Sequence, residues 1–176
     1  SGGFIVGFDN DPPSIFEQQI KFIQKSGIVT AMVGMLNAPT GSRLFKRLKE
    51  EKRLLKIMSG DNMDGSMNFI PKMNAQKLRQ GYERVLNTIY SPKEYYERVK
   101  TFLREYKSPI KGKRKINRRD IGALVRSIWH IGLLNKGRRY YWNLFFYSLF
   151  RCPKKFPMAI TMAVYGFHFR RVVETI

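Results

Sequence analysis

Residues 3–8 read Gly3-Phe4-Ile5-Val6-Gly7-Phe8, and Ile28-Val29-Thr30-Ala31-Met32-Val33-Gly34-Met35-Leu36 follows after one intervening segment. Both runs are continuously apolar, rich in β-branched residues and punctuated by glycine, the pattern of strands covered on both faces in a parallel sheet. Between them, Asp9-Asn10-Asp11-Pro12-Pro13 breaks the first strand. Its carboxylates and amide can cap a helix whose first turn tolerates proline. Ile15, Phe16, Ile20 and Ile23 then recur at helical spacing as far as Gly27. A strand, a helix and a strand of these lengths predict a βαβ unit with parallel strands and the helix on one face.

Downstream the periodicity becomes helical. Ser42 opens a short amphipathic helix carrying Leu44, Phe45 and Leu48, which dissolves near Gly60. The polar stretch from Ser59 to Asn68 has turn composition, and its acidic spacing fails the calcium-loop pattern, so it is expected only to turn. Asn74 starts a helix reaching Tyr90, and Ser91-Pro92-Lys93-Glu94 is a capping box for another reaching Tyr106. From Lys107 to Arg119 seven of thirteen residues are basic, with Pro109 and Gly112 interrupting any period, which reads as a basic loop. Asn117 and Asp120 can cap a helix through Ile121, Leu124, Val125, Ile128 and Leu133. Tyr140 to Tyr147 form an aromatic helix, and Pro157 to Val173 a last helix, apolar nearly all round until Arg170-Arg171. Such a helix is buried against others or lies in a membrane interface. The expected class is therefore α+β: strands and their helices in 1–55, a polar connection in 56–73, and a basic, aromatic-rich helical domain in 74–176.

Composition narrows the function. The 176 residues are 43% hydrophobic and 14% aromatic, which supplies a core and excludes disorder for most of the chain. The single cysteine, Cys152, cannot form an internal disulfide and cannot alone complete a zinc site or hold an iron-sulfur cluster; it is expected to pack as a small hydrophobe. Neither a secretory signal nor a run of about 18 apolar residues is present, so a cytoplasmic protein is expected, at most peripheral to the inner face of the membrane. A strand of buried type at the first residues, without an initiator methionine, leads us to expect further sequence upstream. Strand edges would then lack neighbours, and would pair with another chain, be covered by the helical tail or be marginally ordered.

Charge is unevenly distributed. Residues 1–90 hold 13 Lys and Arg against 8 Asp and Glu, whereas 91–176 hold 20 against 5, so the halves carry +5 and +15. The second half should attract anions. Basic residues among aromatics, as in Arg138-Arg139-Tyr140-Tyr141-Trp142, suit an anionic membrane surface or RNA, with the membrane the better fit to the apolar last helices. Rings at helical spacing are, by default, core. The chain lacks a Walker loop, Gly-x-Gly-x-x-Gly, His-Glu-x-x-His and a serine elbow. His130 and His168 lie on apolar helices, where core or interface packing is expected rather than catalysis. What remains is the pair of strand ends, Gly7 to Asp11 and Leu36 to Gly41, which in parallel α/β architectures share the ligand-binding side; Gly3 and Gly7 permit close approach of a flat ligand.

Gly3-x-Ile5-x-Gly7, the capped helix, the second strand and then Ala38-Pro39-Thr40-Gly41-Ser42-x-Leu44-Phe45 resemble the late strands of the radical S-adenosylmethionine partial barrel. The segments Phe4 to Asp11, Gly60-Asp61-Asn62 and Asn68-Phe69-Ile70-Pro71-Lys72-Met73, with the helical tail, resemble the cobalamin-binding type of these enzymes, whose relatives include hopanoid methylases. The likeness spans essentially the whole chain. It implies a β-α-β remnant of a partial (β/α) barrel followed by a helical domain. It also implies an intact enzyme in which a four-iron four-sulfur cluster reductively cleaves S-adenosylmethionine, with cobalamin as an additional cofactor and a small molecule or lipid as substrate. By position, Gly3, Ile5 and Gly7 would run along the adenine, Asn37 and Ala38 would line the cofactor pocket, and the tail would cap the barrel or admit substrate. The family's Cys-x-x-x-Cys-x-x-Cys loop is absent from this sequence, so this polypeptide alone is expected to be inactive, with the missing N-terminal part of the same protein as its partner.

Overall fold

In the computed structural model, residues 1–55, 66–107 and 118–175 are described, those at 118–120 by backbone only. Most of the polar stretch from Ser59 to Asn68, most of the basic segment from Lys107 to Arg119, and the expected cap Asn117 lie outside the described residues. The element order is β1 (Gly2–Val6), α1 (Ile15–Ser26), β2 (Ala31–Met35), α2 (Arg43–Glu50), α3 (Ala75–Ile89), α4 (Pro92–Glu105) and α5 (Arg118–Ser127). A π-helical turn (Ile128–Leu133), α6 (Arg138–Arg151), a short 3-10 turn (Pro153–Lys155) and α7 (Phe156–Val173) complete it. The class is α+β, mostly helical, with one two-stranded parallel sheet among the described residues.

The chain divides into two compact units, one of residues 1–23 and 31–88, the other of 24–30 and 89–175. In the first, β1 and β2 pair in register, Gly3 beside Met32 and Ile5 beside Gly34. Alternation along the strands gives the sheet two unlike faces. Val6, Ala31, Val33 and Met35 are buried, and Phe4 meets Phe22 of α1 edge-on at 6.0 Å. Gly3, Ile5 and Met32 face solvent, the last two about half exposed at 49% and 52%. The expectation that both strands are covered on both faces is therefore corrected. An apolar run does not say which neighbours exist, and here one face is left open among the described residues.

Helix α1 starts later than the prolines suggested, at Ile15, because Asp11 is otherwise engaged. Its carboxylate accepts from the N–H groups of Gly7 (2.8 Å) and Phe8 (3.0 Å), closing the turn after β1. That turn needs glycine, since Gly7 has φ +102°. Other caps follow the sequence. Ser42 Oγ accepts from Phe45 N at 3.1 Å, Asn74 Oδ1 from Lys77 N at 3.0 Å and Ser91 Oγ from Glu94 N at 3.4 Å. Helix α3 packs on α1 at Gly81, where an added Cβ would overlap the Phe16 ring.

The second unit is built on aromatic residues. Helix α4 buries Tyr95, Tyr96, Val99 and Leu103, and Gly166 of α7 leaves room for the Tyr95 ring, whose hydroxyl donates to Met162 O at 2.8 Å. Arg98 is also buried. No carboxylate forms an ion pair with it among the described residues; it donates to Gln24 Oε1 and to Val29 O and lies over the Tyr95 ring, and burial pulls its guanidinium down to about 10. Lys155 Nζ caps the end of α4 by donating to Leu103 O (2.5 Å) and Tyr106 O (2.6 Å). The π turn was not foreseen. Such turns leave a backbone carbonyl free of its usual helical partner, and here Trp142 Nε1 donates to Gly132 O at 2.9 Å.

Of the core or interface packing expected for His130 and His168, the core is ruled out, since both are exposed. Helix α7 turns its small residues Ala159, Ala163 and Gly166 inward, so His168 falls on the outside. The rings and aliphatics of α5 to α7 are not all core either: Ile121, Val125, Leu133, Phe146, Phe150 and Tyr165 face solvent. A helix apolar on every side can bury only one, and α6 commits Tyr141, Leu144 and Ser148. Cys152, a half-buried free thiol, ends α6.

Candidate functional site

The carboxyl ends of β1 and β2 lie side by side because the strands are parallel and in register. Past them the chain is cross-linked by two polar clusters within the first unit. The first is an asparagine brace. Asn68, itself buried, accepts from Ala38 N on Oδ1 (2.9 Å) and donates from Nδ2 to Ala38 O (2.9 Å). Its own N–H goes to Asn37 Oδ1 at 2.9 Å, and Asn37 Nδ2 donates to Ser66 O at 3.0 Å. A side-chain amide that satisfies both backbone groups of one residue mimics a strand pair, and it fixes the turn after β2 against the segment before Phe69. Leu36, Ala38, Leu48 and Phe69 pack around the brace as a small core, joined by Leu44, Phe45 and Met67. An isolated antiparallel bridge, Leu54 with Phe69, continues the connection.

The second cluster centres on Asp9. Its carboxylate takes two bonds from Arg53, Nη2 at 2.7 Å and Nη1 at 3.0 Å, and a third from Arg47 Nη2 at 2.8 Å. Arg53 also donates to Ile70 O at 2.8 Å and to Glu51 at 2.7 Å. The Arg53 hydrogen bonds hold the Asp9 carboxyl below its ordinary value, and Asp9 in turn raises Arg53. Bidentate pairing of this kind orients both partners. The loop after β1 is thus tied to the chain that follows α2.

Of the residues singled out from sequence, Gly3 and Ile5 share the uncovered sheet face with Met32. Among the described residues nothing lies within 4 Å of where a Gly3 side chain would begin. Gly7 is buried at the turn, its Cα facing Leu78. Asn37 spends its amide in the brace, and Ala38 is fully buried with both backbone groups taken by Asn68. Sequence reasoning missed Asn68, Arg53 and Arg47. The signal available for Asn68 was an asparagine inside an otherwise apolar Met67-x-Phe69-Ile70 run, where a buried amide needs a partner. Of the basic and aromatic cluster, Tyr141 is buried and bonded to Ser127 Oγ at 2.9 Å, while the Arg139 guanidinium lies over Tyr140.

No group of three or more His, Cys, Asp or Glu that could hold a metal ion occurs among the described residues. No helix among them is long and apolar enough to cross a membrane.

A parallel βαβ start with an open apolar face, continued by helices, is the class that fold and site define. The chain belongs to the family described as Domain of unknown function (DUF4070), whose model matches residues 42–176. It is also similar, at 30% identity over 99% of its length, to a protein of Synechocystis sp. (strain ATCC 27184 / PCC 6803 / Kazusa) named "Uncharacterized methyltransferase sll1242". The chain spans about a third of the length of that curated relative, 33%. No solved structure matches it.

Proposed function

We propose that this chain is the C-terminal portion of a radical S-adenosylmethionine enzyme of methyltransferase type, cobalamin-binding in the intact protein. In this reading residues 1–55 are the last strands and helices of a partial (β/α) barrel, and 74–176 form the helical part that caps it or admits a small-molecule or lipid substrate, with α3 packed on α1 within the first unit. The observation that carries the reading is the uncovered face of the sheet. Ile5 and Met32 offer apolar surface, and Gly3 leaves it clear of a side chain, so a flat ring such as adenine can lie against the backbone. The similarity to a protein named as a methyltransferase supports the choice of cofactor.

Within that scheme the residues of this chain bind and position. Gly3 and Ile5 provide the adenine wall. Gly7 makes the turn that returns the chain under it, and Asn37 with Ala38, locked by Asn68, sets the shape of the second loop rather than offering free hydrogen-bonding groups. The Asp9–Arg53 pair keeps the first loop in place. A four-iron four-sulfur cluster does not fit this chain, since Cys152 is its single cysteine. Cluster and cobalamin would be held by other parts of the protein, and this chain is not catalytic alone.

Equilibrium dialysis of S-adenosylmethionine against the full-length protein tests the reading. Gly3→Val adds a side chain to the open face, where its Cβ has room, and Ile5→Asp places a charge there. Each should weaken binding by about tenfold or more, a loss of roughly 1.4 kcal/mol, with unchanged circular dichroism. Affinity equal to that of the wild type in both variants would overturn the proposal.

A further inference from the structure

The second unit carries an exposed apolar surface that its own packing does not explain. Ile121, Val125, Trp129 and Leu133 follow one another at four-residue intervals through α5 and the π turn, and all are 48% to 60% exposed. A second line begins where Trp142 bonds to the π turn and runs along α6. Trp142 stacks on Phe146 at 5.7 Å and Phe146 on Phe150 at 6.3 Å, with Phe146 and Phe150 both exposed and Leu149 beside them. Solitary exposed hydrophobics are ordinary, but two lines meeting at one turn are not.

The charge around these lines names the occupant. From Arg118 to Val173 there are eleven lysines and arginines against a single carboxylate, Asp120. Arg126, Lys136, Arg138, Arg139, Arg151 and Lys154 are exposed. A protein partner would need a matching acidic and apolar surface. RNA would use the rings and the cations, but would leave Ile121, Val125, Leu133 and Leu149 in water, since aliphatic side chains do not stack on bases. An anionic bilayer surface satisfies both, taking the aliphatic and aromatic side chains among its acyl chains and the cations at its headgroups.

We propose that α5, the π turn and α6 form an in-plane docking surface for a membrane bearing anionic lipids. The helices lie along the interface and do not span it, in keeping with the absence of a long enough apolar helix among the described residues. Trp129 sits at the headgroup level, where indole is favoured. This inference does not rest on the cofactor reading, and either can fail alone.

Co-sedimentation of the full chain with vesicles of phosphatidylcholine, and of phosphatidylcholine with about 30% phosphatidylglycerol, at roughly 0.1 M salt, tests it. The expected result is recovery with the anionic vesicles only, with a blue shift of tryptophan emission. The double variant Val125→Asp, Leu133→Asp should lose about tenfold in partitioning, and Trp129→Ser should lose both partitioning and most of the blue shift. These side chains are exposed, so the fold and thermal midpoint should be unchanged, and Trp129→Ser introduces no charge should the double variant prove unstable. Absence of binding, equal binding to neutral vesicles, or anionic binding unaffected by these variants would overturn the proposal. So would variants that weaken binding to a single-stranded RNA oligomer and leave vesicle partitioning unchanged.

Discussion

Replacing Asn68 by alanine should strike the first unit at its most connected point. The amide satisfies both backbone groups of Ala38, and residue 38 is fully buried, so its N–H and C=O would lose their partners. An unsatisfied buried group costs about 1 to 3 kcal/mol, and allowing for partial relaxation the pair should cost about 3 to 4 kcal/mol. Against a total stability of about 5 to 15 kcal/mol that is a large fraction. Trp129 and Trp142 both lie in the second unit, so tryptophan fluorescence would not report the loss directly. Hydrogen exchange read by mass spectrometry on peptides covering 31–40 would, and it should show protection falling by roughly two to three decades, at 1.4 kcal/mol per decade. Asn68→Asp sharpens the reasoning. A carboxylate keeps the acceptor for Ala38 N but turns an acceptor toward Ala38 O, and burial raises its native pKa. With the native value raised, stability is fully present below the unfolded carboxyl value near 3.9 and declines as pH rises through the native value. The variant should thus approach wild type in acid, where the protonated carboxyl donates to Ala38 O, and fall away toward neutrality. Asn68→Ala within about 0.5 kcal/mol of wild type, or Asn68→Asp with a flat difference from wild type across pH, would refute the account.

Asp9 has the opposite sign. Its native pKa is lowered by Arg53, so its contribution is present above the unfolded value near 4 and is lost as pH falls through the lowered native value. Asp9→Asn should remove about 2 kcal/mol at neutral pH and flatten the acid limb of a urea-unfolding series below about pH 4, the unfolded carboxyl value. At Gly81, alanine would gain about 1 kcal/mol in helix propensity, yet its methyl group overlaps the Phe16 ring, so a net loss of about 1 to 2 kcal/mol is expected. Phe16→Leu in the same chain should recover part of the loss, and a double-mutant cycle measures the coupling.

The sequence by itself determined the two strands and seven α-helices of the described residues and their order, but not the π turn. Glycine-bounded apolar runs marked both strands, and serine and asparagine marked the starts of α2, α3 and α4, because capping and period are local properties that a short stretch carries alone. The candidate strand ends were legible for the same reason. Only the tertiary structure decided which faces are covered. Ile5 and Val6 are both apolar and adjacent, yet one is half exposed and the other buried, since a pleated strand points them to opposite sides and, among the described residues, one side is packed and the other open. Asn37, Ala38 and Asn68 are joined across some thirty residues of sequence, and Asp9 and Arg53 across more, and no local pattern encodes such pairings. The same holds for Ile121, Val125 and Trp129. Their spacing announces an apolar helix face, but whether that face meets protein or solvent depends on how many sides α6 and α7 can bury at once.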